Sequence, residues 1–253
     1  MGVRGSIDFN SDLGEGAGTD AAIMPLVTSA NIACGGHAGN ENTMRTTVEL
    51  AMRYKVAVGA HPGYPDRERF GRVAMEIPAR ELMESIRRQI DSLVGITSRM
   101  GGRVTHVKAH GALYNQAERD PVTARNILFG VQAATGGHEL VIVAPPGSAM
   151  LQEAKGMGMK VVREGFVDRA YEPDGTLQSR AIAGAVLTNP ADALRQALSF
   201  VKKGGVTAVD GSFLKLDVDT LCVHGDTPGA ADIARAVRDG LRDAKVKITA
   251  FGS

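Results

Sequence analysis

Short apolar runs alternate with longer amphipathic stretches from one end of the chain to the other, and this alternation limits the possible folds most strongly. Such an order is typical of repeated strand–helix units whose strands lie parallel in one sheet. The predicted strands cover residues 4–10, 29–34, 56–60, 103–109, 139–144, 160–166, 206–209, 219–223 and 246–250. The predicted helices cover residues 41–54, 78–100, 121–135, 148–157, 190–203 and 229–243. The pattern therefore predicts an α/β fold.

The length of the chain favours one unit. Its 253 residues match the roughly 250 residues of a typical α/β barrel. No linker or low-complexity segment interrupts the order of strands and helices, so we expect a single domain over residues 1–253. The long connections are predicted at 10–20, 61–77, 168–189 and 210–218. Loops that follow strands are where such folds carry their functional residues.

The near-neutral net charge argues against some classes of binding partner. The chain has 29 Lys and Arg against 28 Asp and Glu, a net charge of +1, so no long-range field favours nucleic acid or an anionic membrane. No apolar run approaches the roughly 20 residues that span a bilayer. Two cysteines make no disulfide framework, and the N-terminus lacks the pattern of a signal peptide. We expect a cytoplasmic protein that acts on a small molecule.

Four of the six histidines follow predicted strands. They are His37 in ACGGHAG, His61 in VGAHPG, His110 in VKAHGALYN and His224 in LCVHGDTP. Because the strands of a parallel sheet all end on the same side, residues at these ends converge there. The sequence therefore predicts one shared site. His138 precedes its predicted strand and should lie at the opposite end.

Polar residues also share one side of two predicted strands. They are Asp8, Asn10 and Asp12 in IDFNSD, and His106, Lys108 and His110 in THVKAHG. Successive side chains of a strand point to opposite faces, so each set of three faces one way. A buried Asp or Lys without a partner costs several kcal/mol. We expect both sets to line the interior and mouth of a barrel, where they pair with one another or meet a ligand.

The loop after the first strand, NSDLGEGAG, mixes carboxylates with glycines. Asp12 and Glu15 are candidates for a metal ligand or a general base, and a simple glycine-rich turn is the alternative. Thr19 stands where G-x-G-x-x-G would need its third glycine, and GxxxxGK[ST] is absent from the sequence. The sequence identifies no nucleotide site.

Lys108 and His110 form the pair with the strongest chemical signal. A lysine at a barrel mouth can stabilise an oxyanion or bind a carboxylate, and a histidine with a reference pKa of about 6.5 can move protons. Tyr114 and Asn115 are expected to complete the same loop.

Two later strand ends offer further candidates. Asp168 and Arg169 in GFVDRAYEPDG are either site residues or a structural salt bridge. In CVHGDTPG, Asp226 either orients the imidazole of His224 or caps the next helix.

Other polar residues near strand ends are expected to be structural. In the loop PGYPDRERFGR, Arg72 could meet a substrate carboxylate, whereas Arg67 and Arg69 are expected to be solvated. Cys34 and Cys222 are expected to be small buried residues rather than nucleophiles.

Six motifs carry a resemblance to a known family. DFNSDLGEG, SANIACGGHAG, VGAHPGYPDRERFGR, VKAHGALYN, DRAYEPDG and DTLCVHGDTPG occur in the order found in the LamB/YcsF family. The resemblance implies an irregular (β/α) barrel of about seven parallel strands, related to the glycoside hydrolase and deacetylase barrels. The family usually has CGFHAGDP and VKPHG, so this chain differs at Gly36, Asn40, Glu41 and Ala109. These differences bear on substrate packing and choice beside His37, and on any metal ligand at position 40.

The resemblance further implies an activity. Members of this family are the A component of the prokaryotic 5-oxoprolinase, which opens 5-oxo-L-proline to L-glutamate with ATP and with partner B and C subunits. On this hypothesis Asp12 or His110 is the general base, Lys108 and His61 stabilise the developing charge, and Arg169 holds the substrate carboxylate. His224 joins the catalytic set, and Asn10, His37, Tyr114 and Asp168 are expected to bind substrate.

Two alternatives stay open at this stage. The chain could be a metal-dependent deacylase acting alone, with Asp12, His37 and His61 as ligands of Zn²⁺ or a similar divalent ion. It could also be a noncatalytic binding component of the complex, in which case alanine at the strand-end histidines should be tolerated.

Overall fold

Seven parallel strands form a closed barrel in the computed structural model, which describes residues 5–134 and 140–251. The described residues contain ten strands in all, which are β1 (Ser6–Leu13), β2 (Ser29–Ala33), β3 (Ala57–His61), β4 (Val104–Lys108), β5 (Val141–Ala144), β6 (Val161–Phe166), β7 (Gly205–Thr207), β8 (Phe213–Lys215), β9 (Thr220–His224) and β10 (Lys247–Ile248). The barrel order is β1-β2-β3-β4-β5-β6-β9, and β9 pairs back with β1. The predicted barrel of about seven strands is confirmed.

The remaining strands of the described residues lie outside the barrel. The strand predicted at 206–209 corresponds to β7, which forms an antiparallel hairpin with β8. The connection predicted at 210–218 therefore contains a strand. β10 pairs with the outer part of β1, at Ser6 and Ile7. Apolar runs as short as these fit a barrel strand and a hairpin equally well, so their periodicity does not distinguish the two.

Helices cover the outside of the barrel. They are α1 (Asp20–Ile23), α2 (Glu41–Tyr54), α3 (Ala79–Arg99), α4 (Gly111–Arg119), α5 (Pro121–Ala134), α6 (Ala149–Gly156), α7 (Pro190–Lys203) and α8 (Ala230–Asp243), with a 3₁₀ turn at Met24–Leu26. Six of them agree with the predicted helices. No helix in the described ranges is both long and apolar enough to cross a membrane.

Helix α4 was not predicted from the sequence, which indicated a loop at Tyr114 and Asn115. Tyr114 and Asn115 therefore lie on a helix, which corrects that expectation. The helix begins at Gly111, a residue that usually signals a turn, and it buries Leu113 and Ala117 against the core. Packing thus stabilises a nine-residue segment that is too short to be helical on its own.

Asn40, one of the departures from the family pattern, caps α2. Its side-chain oxygen accepts the backbone N–H of Thr43 at 3.0 Å, and the Thr43 hydroxyl accepts the backbone N–H of Asn40 at 2.8 Å. This reciprocal capping box satisfies two donors at the helix start. Position 40 has a structural role and lies outside the cluster of possible metal ligands.

The barrel interior is polar, as the strand periodicity predicted. Asp8, Asn10 and Asp12 are at most 4% exposed, and so are His106 and Lys108. Their hydrogen-bond partners come from other strands of the barrel. These partners are Ser29 and Asn31 of β2, Glu164 of β6 and Thr220 of β9. Pairing across the barrel offsets the cost of burying these groups.

Asp8, near the start of β1, makes stability depend on pH. Burial raises the pKa of Asp8 to about 6, from 3.8. Between these values the folded chain binds more protons than the unfolded chain, so the contribution of Asp8 to stability is lost as pH rises. We therefore expect the stability of Asp8→Asn relative to wild type to increase by about 2 kcal/mol from pH 4 to pH 6.5. Urea unfolding at several pH values measures this difference, and Asp243→Asn on the surface serves as the control. A difference in unfolding free energy between Asp8→Asn and wild type that does not change with pH would contradict this prediction.

Candidate active site

The carboxyl ends of the barrel strands surround a cavity of about 350 Å³. The predicted site residues that line it are Asp12, His61, Arg72, Lys108, His110, Tyr114, Asn115, Arg169 and His224. Three other candidates lie behind this lining. His37 stacks on the ring of His110, Asp168 hydrogen-bonds to His224, and Asn10 is buried deeper in the barrel. The structure therefore gathers the candidates at one mouth, but only some of them reach the cavity.

Glu15 joins three histidines in one buried cluster. Its Oε1 lies 3.0 Å from His37 Nε2, 3.6 Å from His61 Nε2 and 3.2 Å from His110 Nδ1. These four side chains offer ligand atoms within 4.8 Å of one another. Gly14 has a φ of +73°, a left-handed conformation that turns the chain after β1 and places Glu15 over the histidines.

Backbone carbonyls fix the tautomers of two histidines in this cluster. His61 Nδ1 lies 2.9 Å from the carbonyl of Lys108, and His110 Nε2 lies 2.9 Å from that of Phe70. Because a carbonyl only accepts hydrogen bonds, these nitrogens carry the protons. The other two nitrogens, His61 Nε2 and His110 Nδ1, lie 3.0 Å apart. Two lone pairs at this distance repel unless a proton or a cation lies between them.

Charge and burial act in opposite directions on these groups. Burial lowers the pKa of His37 to about 3, and it also lowers the pKa of His110. Burial lowers the pKa of His61 as well, but Asp12 and Glu15 raise it above the ordinary value. Despite burial, its close contacts with His110 and His37 lower the pKa of Glu15. His61 is thus the member of the cluster best suited to carry a proton, while Glu15 stays ionised.

The metal set expected from the sequence differs from this cluster. It included Asp12, His37 and His61, whereas the structure adds Glu15 and His110 and leaves Asp12 outside. Asp12 Oδ2 lies 3.4 Å from His61 Nε2, but Asp12 Oδ1 is engaged by Lys108. The sequence suggested Glu15 only by its nearness to Asp12. Strand parity carries no information about a residue that lies beyond the end of its strand.

Lys108 lies at the floor of the cavity inside a network of ion pairs. Its Nζ is 2.9 Å from Asp12 Oδ1 and 2.9 Å from Glu164 Oε1, and the Tyr114 hydroxyl donates to Glu164 Oε2 at 2.8 Å. Burial lowers the pKa of Lys108, but the charge of Asp12 and further neighbours raise it well above its ordinary value. Lys108 is therefore a charged residue with two carboxylate partners.

Asp168 and His224 form a hydrogen-bonded pair at the cavity wall. His224 Nδ1 lies 3.0 Å from Asp168 Oδ1, and the ring stacks on Phe166. Asp168 Oδ2 also accepts the backbone N–H of His224 and the Thr227 hydroxyl. Burial would raise the pKa of Asp168, but the charge and hydrogen bond of His224 lower it. The pair directs His224 Nε2 away from Asp168, as in an acid–base dyad.

Asp226 does not orient His224, and it does not cap α8, whose N-cap is Gly229. It forms ion pairs with Arg72 and Arg180 instead. The sequence placed the orienting carboxylate two residues after the histidine, but the structure supplies Asp168 from the end of β6. Residues distant in sequence become neighbours because β6 and β9 pair in the barrel.

Arg169 is 6% exposed and lines the cavity. It donates to the carbonyls of Ala185 and Gln178, and within residues 5–134 and 140–251 it has no ion-pair partner. Burial and the nearby Arg180 lower its pKa to about 10. Arg169 thus keeps a charge that an anionic ligand can neutralise.

Several other candidates have structural roles. Arg67 donates to the carbonyls of Gly35 and Gly39, and Arg69 pairs with Asp66. His106 lies deep in the barrel, where burial lowers its pKa to about 3. His138 lies outside the described residues.

Both cysteines are buried free thiols. Burial raises the pKa of Cys34 to about 12 and that of Cys222 well above its ordinary value. Reactive cysteines have lowered pKa values, so the expectation that neither is a nucleophile agrees with the structure.

Sequence reasoning missed three residues at or below the cavity. Glu164 and Asn31 are members of the buried network, and Arg180 lines the cavity. Glu164 could have been identified from the sequence, because it is a carboxylate within the predicted strand VVREGF and points to the same face of the strand as Phe166. Arg180 had none, since it lies in a long loop whose path depends on tertiary contacts.

Gly36 leaves room for the side chain of Gln89 beside the histidine cluster. A Cβ atom at Gly36 would lie 2.7 Å from Gln89 Cδ. The Gln89 amide in turn accepts the backbone N–H of Gly63 at 3.0 Å and donates to its carbonyl at 2.9 Å. A side chain at position 36 would therefore collide with Gln89, which holds the loop after β3.

We expect Gly36→Ala to lower the free energy of unfolding by about 1–3 kcal/mol, the usual cost of overpacking a core. Displacing Gln89 also breaks its two hydrogen bonds to Gly63. Adding Gln89→Ala should cost less in the Gly36→Ala background than in wild type, as a double-mutant cycle in urea measures. Additive effects would show that the two positions are independent.

Comparison with known proteins places the chain in a family. The profile of the LamB/YcsF family matches residues 7–253. The chain is 45% identical to the A subunit of 5-oxoprolinase from Methylococcus capsulatus, over 98% of this chain and 96% of that protein. It is 42% identical to the A subunit of 5-oxoprolinase from Pyrococcus furiosus, over 97% and 98% of the two chains.

Solved structures agree with this placement. The lactam utilization protein from Thermus thermophilus superposes with a TM-score of 0.90 at 43% identity, covering 97% of this chain and all of that one. A family 4 carbohydrate esterase from Streptomyces lividans has a TM-score of 0.53 at 9% identity, covering 97% and 92%, and shares the fold alone. The chain belongs to the LamB/YcsF family.

Proposed function

We propose that this chain is the A component of a 5-oxoprolinase, which opens the lactam of 5-oxo-L-proline to L-glutamate with ATP and with partner B and C subunits. The observation that carries the proposal is one cavity that combines the Asp168–His224 pair with the unpaired charge of Arg169. The relatives named as the A subunit of 5-oxoprolinase support it. We expect the complex to act in the cytoplasm.

The chemistry explains why ATP and partner subunits are needed. An unstrained amide carbon is a poor electrophile, and transfer of the γ-phosphoryl group of ATP to the lactam oxygen activates it. Water then adds to this carbon, and the ring C–N bond breaks as the nitrogen takes a proton. The resulting acyl phosphate reacts with a second water to give glutamate and inorganic phosphate. The chain has no P-loop or dinucleotide motif, so we assign the binding of ATP to the partners.

The residues of the cavity suit the ring-opening steps. His224, held by Asp168, accepts a proton from water and delivers it to the ring nitrogen. Arg169 binds the substrate carboxylate, since a planar guanidinium matches a carboxylate. Lys108 and Asp12 hold the floor of the cavity and supply a fixed charge pattern to the reacting group. This assignment moves the general base from Asp12 or His110, which other side chains engage, to His224.

A divalent cation is the second component of the proposal. Glu15, His37, His61 and His110 would hold it, because carbonyls fix two of the tautomers with lone pairs directed at each other. A bound cation of this kind polarises an oxygen atom or lowers the pKa of water. Gly71, with φ of +61°, allows the covering loop to pass close to the cluster, as a Cβ there would lie 2.8 Å from His37 Cβ.

We expect the purified, chelator-treated chain to bind one equivalent of Zn²⁺ or Co²⁺. His61→Ala and His110→Ala should weaken binding by about 100-fold or more, since even the residues that support ligands contribute about 10–100-fold. His224→Ala, in the same cavity but outside the cluster, is the matched control. Metal content by mass spectrometry and the visible spectrum of bound Co²⁺ provide the readout. Absence of binding at micromolar metal would leave a proton as the bridge between His61 and His110.

The decisive experiment measures glutamate release from 5-oxoproline by this chain, with and without its partners and ATP. We expect release only in the complete mixture. Release without ATP or partners would favour a metal-dependent amidohydrolase that acts alone. A complex that retains turnover when alanine replaces His61, His110 and His224 in turn would favour a noncatalytic role for this chain. No release under any condition would overturn the substrate assignment.

A further inference from the structure

Three arginines line the same cavity. Arg169 comes from the loop after β6, Arg180 lies further along that loop, and Arg72 comes from the loop after β3. A bound 5-oxoproline offers a single carboxylate. One guanidinium would neutralise this carboxylate, so the other two have no assigned ligand group.

Arg72 and Arg180 are held in place by a shared carboxylate. Asp226 forms an ion pair with Arg72 and lies 3.3 Å from a terminal nitrogen of Arg180. Asp226 does not line the cavity, whereas both arginines do. The Arg72 guanidinium also lies 4.8 Å from the centre of the Phe70 ring. The carboxylate therefore supports the two arginines from behind, and each guanidinium has five N–H donors, more than these contacts use.

The rest of the lining is also favourable to anions. Among the described residues, Asp12 is the single acidic member of the lining, and Lys108 pairs with it. The first residues of α4, Gly111 and Ala112, line the cavity, and the N-cap residue of this helix makes no side-chain capping bond. The start of a helix carries a partial positive charge. The lining residues thus carry more positive charge than one substrate carboxylate balances, although Asp226 pairs with two of the guanidinium groups from outside the lining.

We propose that Arg72 and Arg180 form a phosphoryl subsite, so that the cavity takes a substrate with two anionic groups: a phosphorylated lactam or the acyl phosphate formed from it. Arg169 then binds the carboxylate. The inference rests on the proposed function, because it identifies which form of the substrate this chain receives. A phosphoryl group and two guanidinium groups form the strong, charge-assisted hydrogen bonds that orient transferred groups.

The cavity has room for the larger ligand. Its volume of about 350 Å³ lies in the range of sites for molecules of drug size, and 5-oxoproline is smaller than these. A neighbouring cavity of about 690 Å³ shares Arg72, Ala112, Asn115 and Leu177 with it. A phosphoryl group at Arg72 would therefore lie at the junction of the two cavities.

The test uses calorimetric titration of the full chain after chelator treatment, because a bound cation would itself attract phosphonates. The probes are 5-oxo-L-proline and 4-phosphonobutyrate, which carries a carboxylate and a phosphonate on one short chain. Wild type should bind 4-phosphonobutyrate about 10-fold more tightly than 5-oxoproline. Arg72→Gln and Arg180→Gln should weaken binding of the phosphonate by about 10- to 100-fold, and change 5-oxoproline binding less than twofold.

Three further variants make the result specific. Arg169→Gln should weaken both probes, and Arg180→Lys should recover part of the phosphonate binding. Arg125→Gln, at a residue that pairs with Glu153 on the surface, should change neither probe. Thermal unfolding confirms that each variant is folded.

The inference is overturned if Arg72→Gln and Arg180→Gln leave phosphonate binding unchanged, if they weaken both probes equally, or if wild type does not bind the phosphonate at millimolar concentration. Failure of the proposed function has a different signature. Wild type would then bind the phosphonate through Arg72 and Arg180, while 5-oxoproline would neither bind nor be turned over by the complete complex.

Discussion

Replacing Lys108 with methionine should lower the free energy of unfolding by about 3–5 kcal/mol, the cost of leaving a buried charge without its partner. Lys108 Nζ lies 2.9 Å from both Asp12 and Glu164, and all three side chains are at most 4% exposed. The two carboxylates would then repel each other inside the barrel. Because the total stability of a domain is about 5–15 kcal/mol, the variant should unfold at a much lower urea concentration.

Two controls separate charge from packing in this variant. Lys202→Met, at an exposed position of α7, should have little effect. Glu164→Gln removes one of the two carboxylates, so the double variant should be more stable than the sum of the single changes predicts. Equal stability of Lys108→Met and wild type would show that the network is not ion-paired. A turnover assay of Lys108→Ala can be interpreted only when the stability of that variant has also been measured.

Replacing His224 with alanine should lower kcat of the complete complex by about 10²–10⁴-fold, the usual contribution of a general acid–base residue. The change should affect KM much less, because we propose that Arg169, and not His224, binds the substrate carboxylate. Asp168→Asn should also lower kcat, since the imidazole would lose the carboxylate that selects its tautomer. Steady-state glutamate release over a range of 5-oxoproline concentrations measures both constants.

His106→Ala is the histidine control for this series, at a buried position outside the cavity. If His106→Ala lowers the measured turnover, the loss should come from a smaller folded fraction, and kcat of the folded protein should be unchanged. A pH profile adds a second criterion, because removal of the acid–base residue should remove one limb of the profile. Unchanged kcat in folded His224→Ala would exclude the dyad from the reaction.

Much of the barrel was predictable because its signals are local. Alternating polarity in IDFNSD and THVKAHG placed Asp8, Asn10 and Lys108 inside the barrel, since the two-residue period of a strand is independent of distant contacts. The elements that were not predicted depend instead on contacts with distant parts of the chain. α4 begins with a glycine and depends on packing, and β8 is a three-residue strand that exists only through its pairing with β7.

The candidate site followed the same division. Strand ends in a parallel barrel meet by topology, so His61, His110 and His224 could be expected at one mouth. Their partners could not. Asp168 replaced Asp226 beside His224, and Glu15 replaced Asp12 in the histidine cluster. A partner is selected by strand register and loop path, and neither leaves a periodic signal in the sequence.

The sequence by itself determined the barrel, its polar interior, the end at which functional residues gather and the family. Each of these follows from periodicity, from the order of strands and helices, or from motifs of adjacent residues. Only the tertiary structure decided which nitrogen of His61 and His110 carries a proton, which carboxylate orients His224, and which arginines face the cavity. Hydrogen bonds and ion pairs act over about 3–4 Å, so these roles depend on atomic positions that strand pairing and loop packing set.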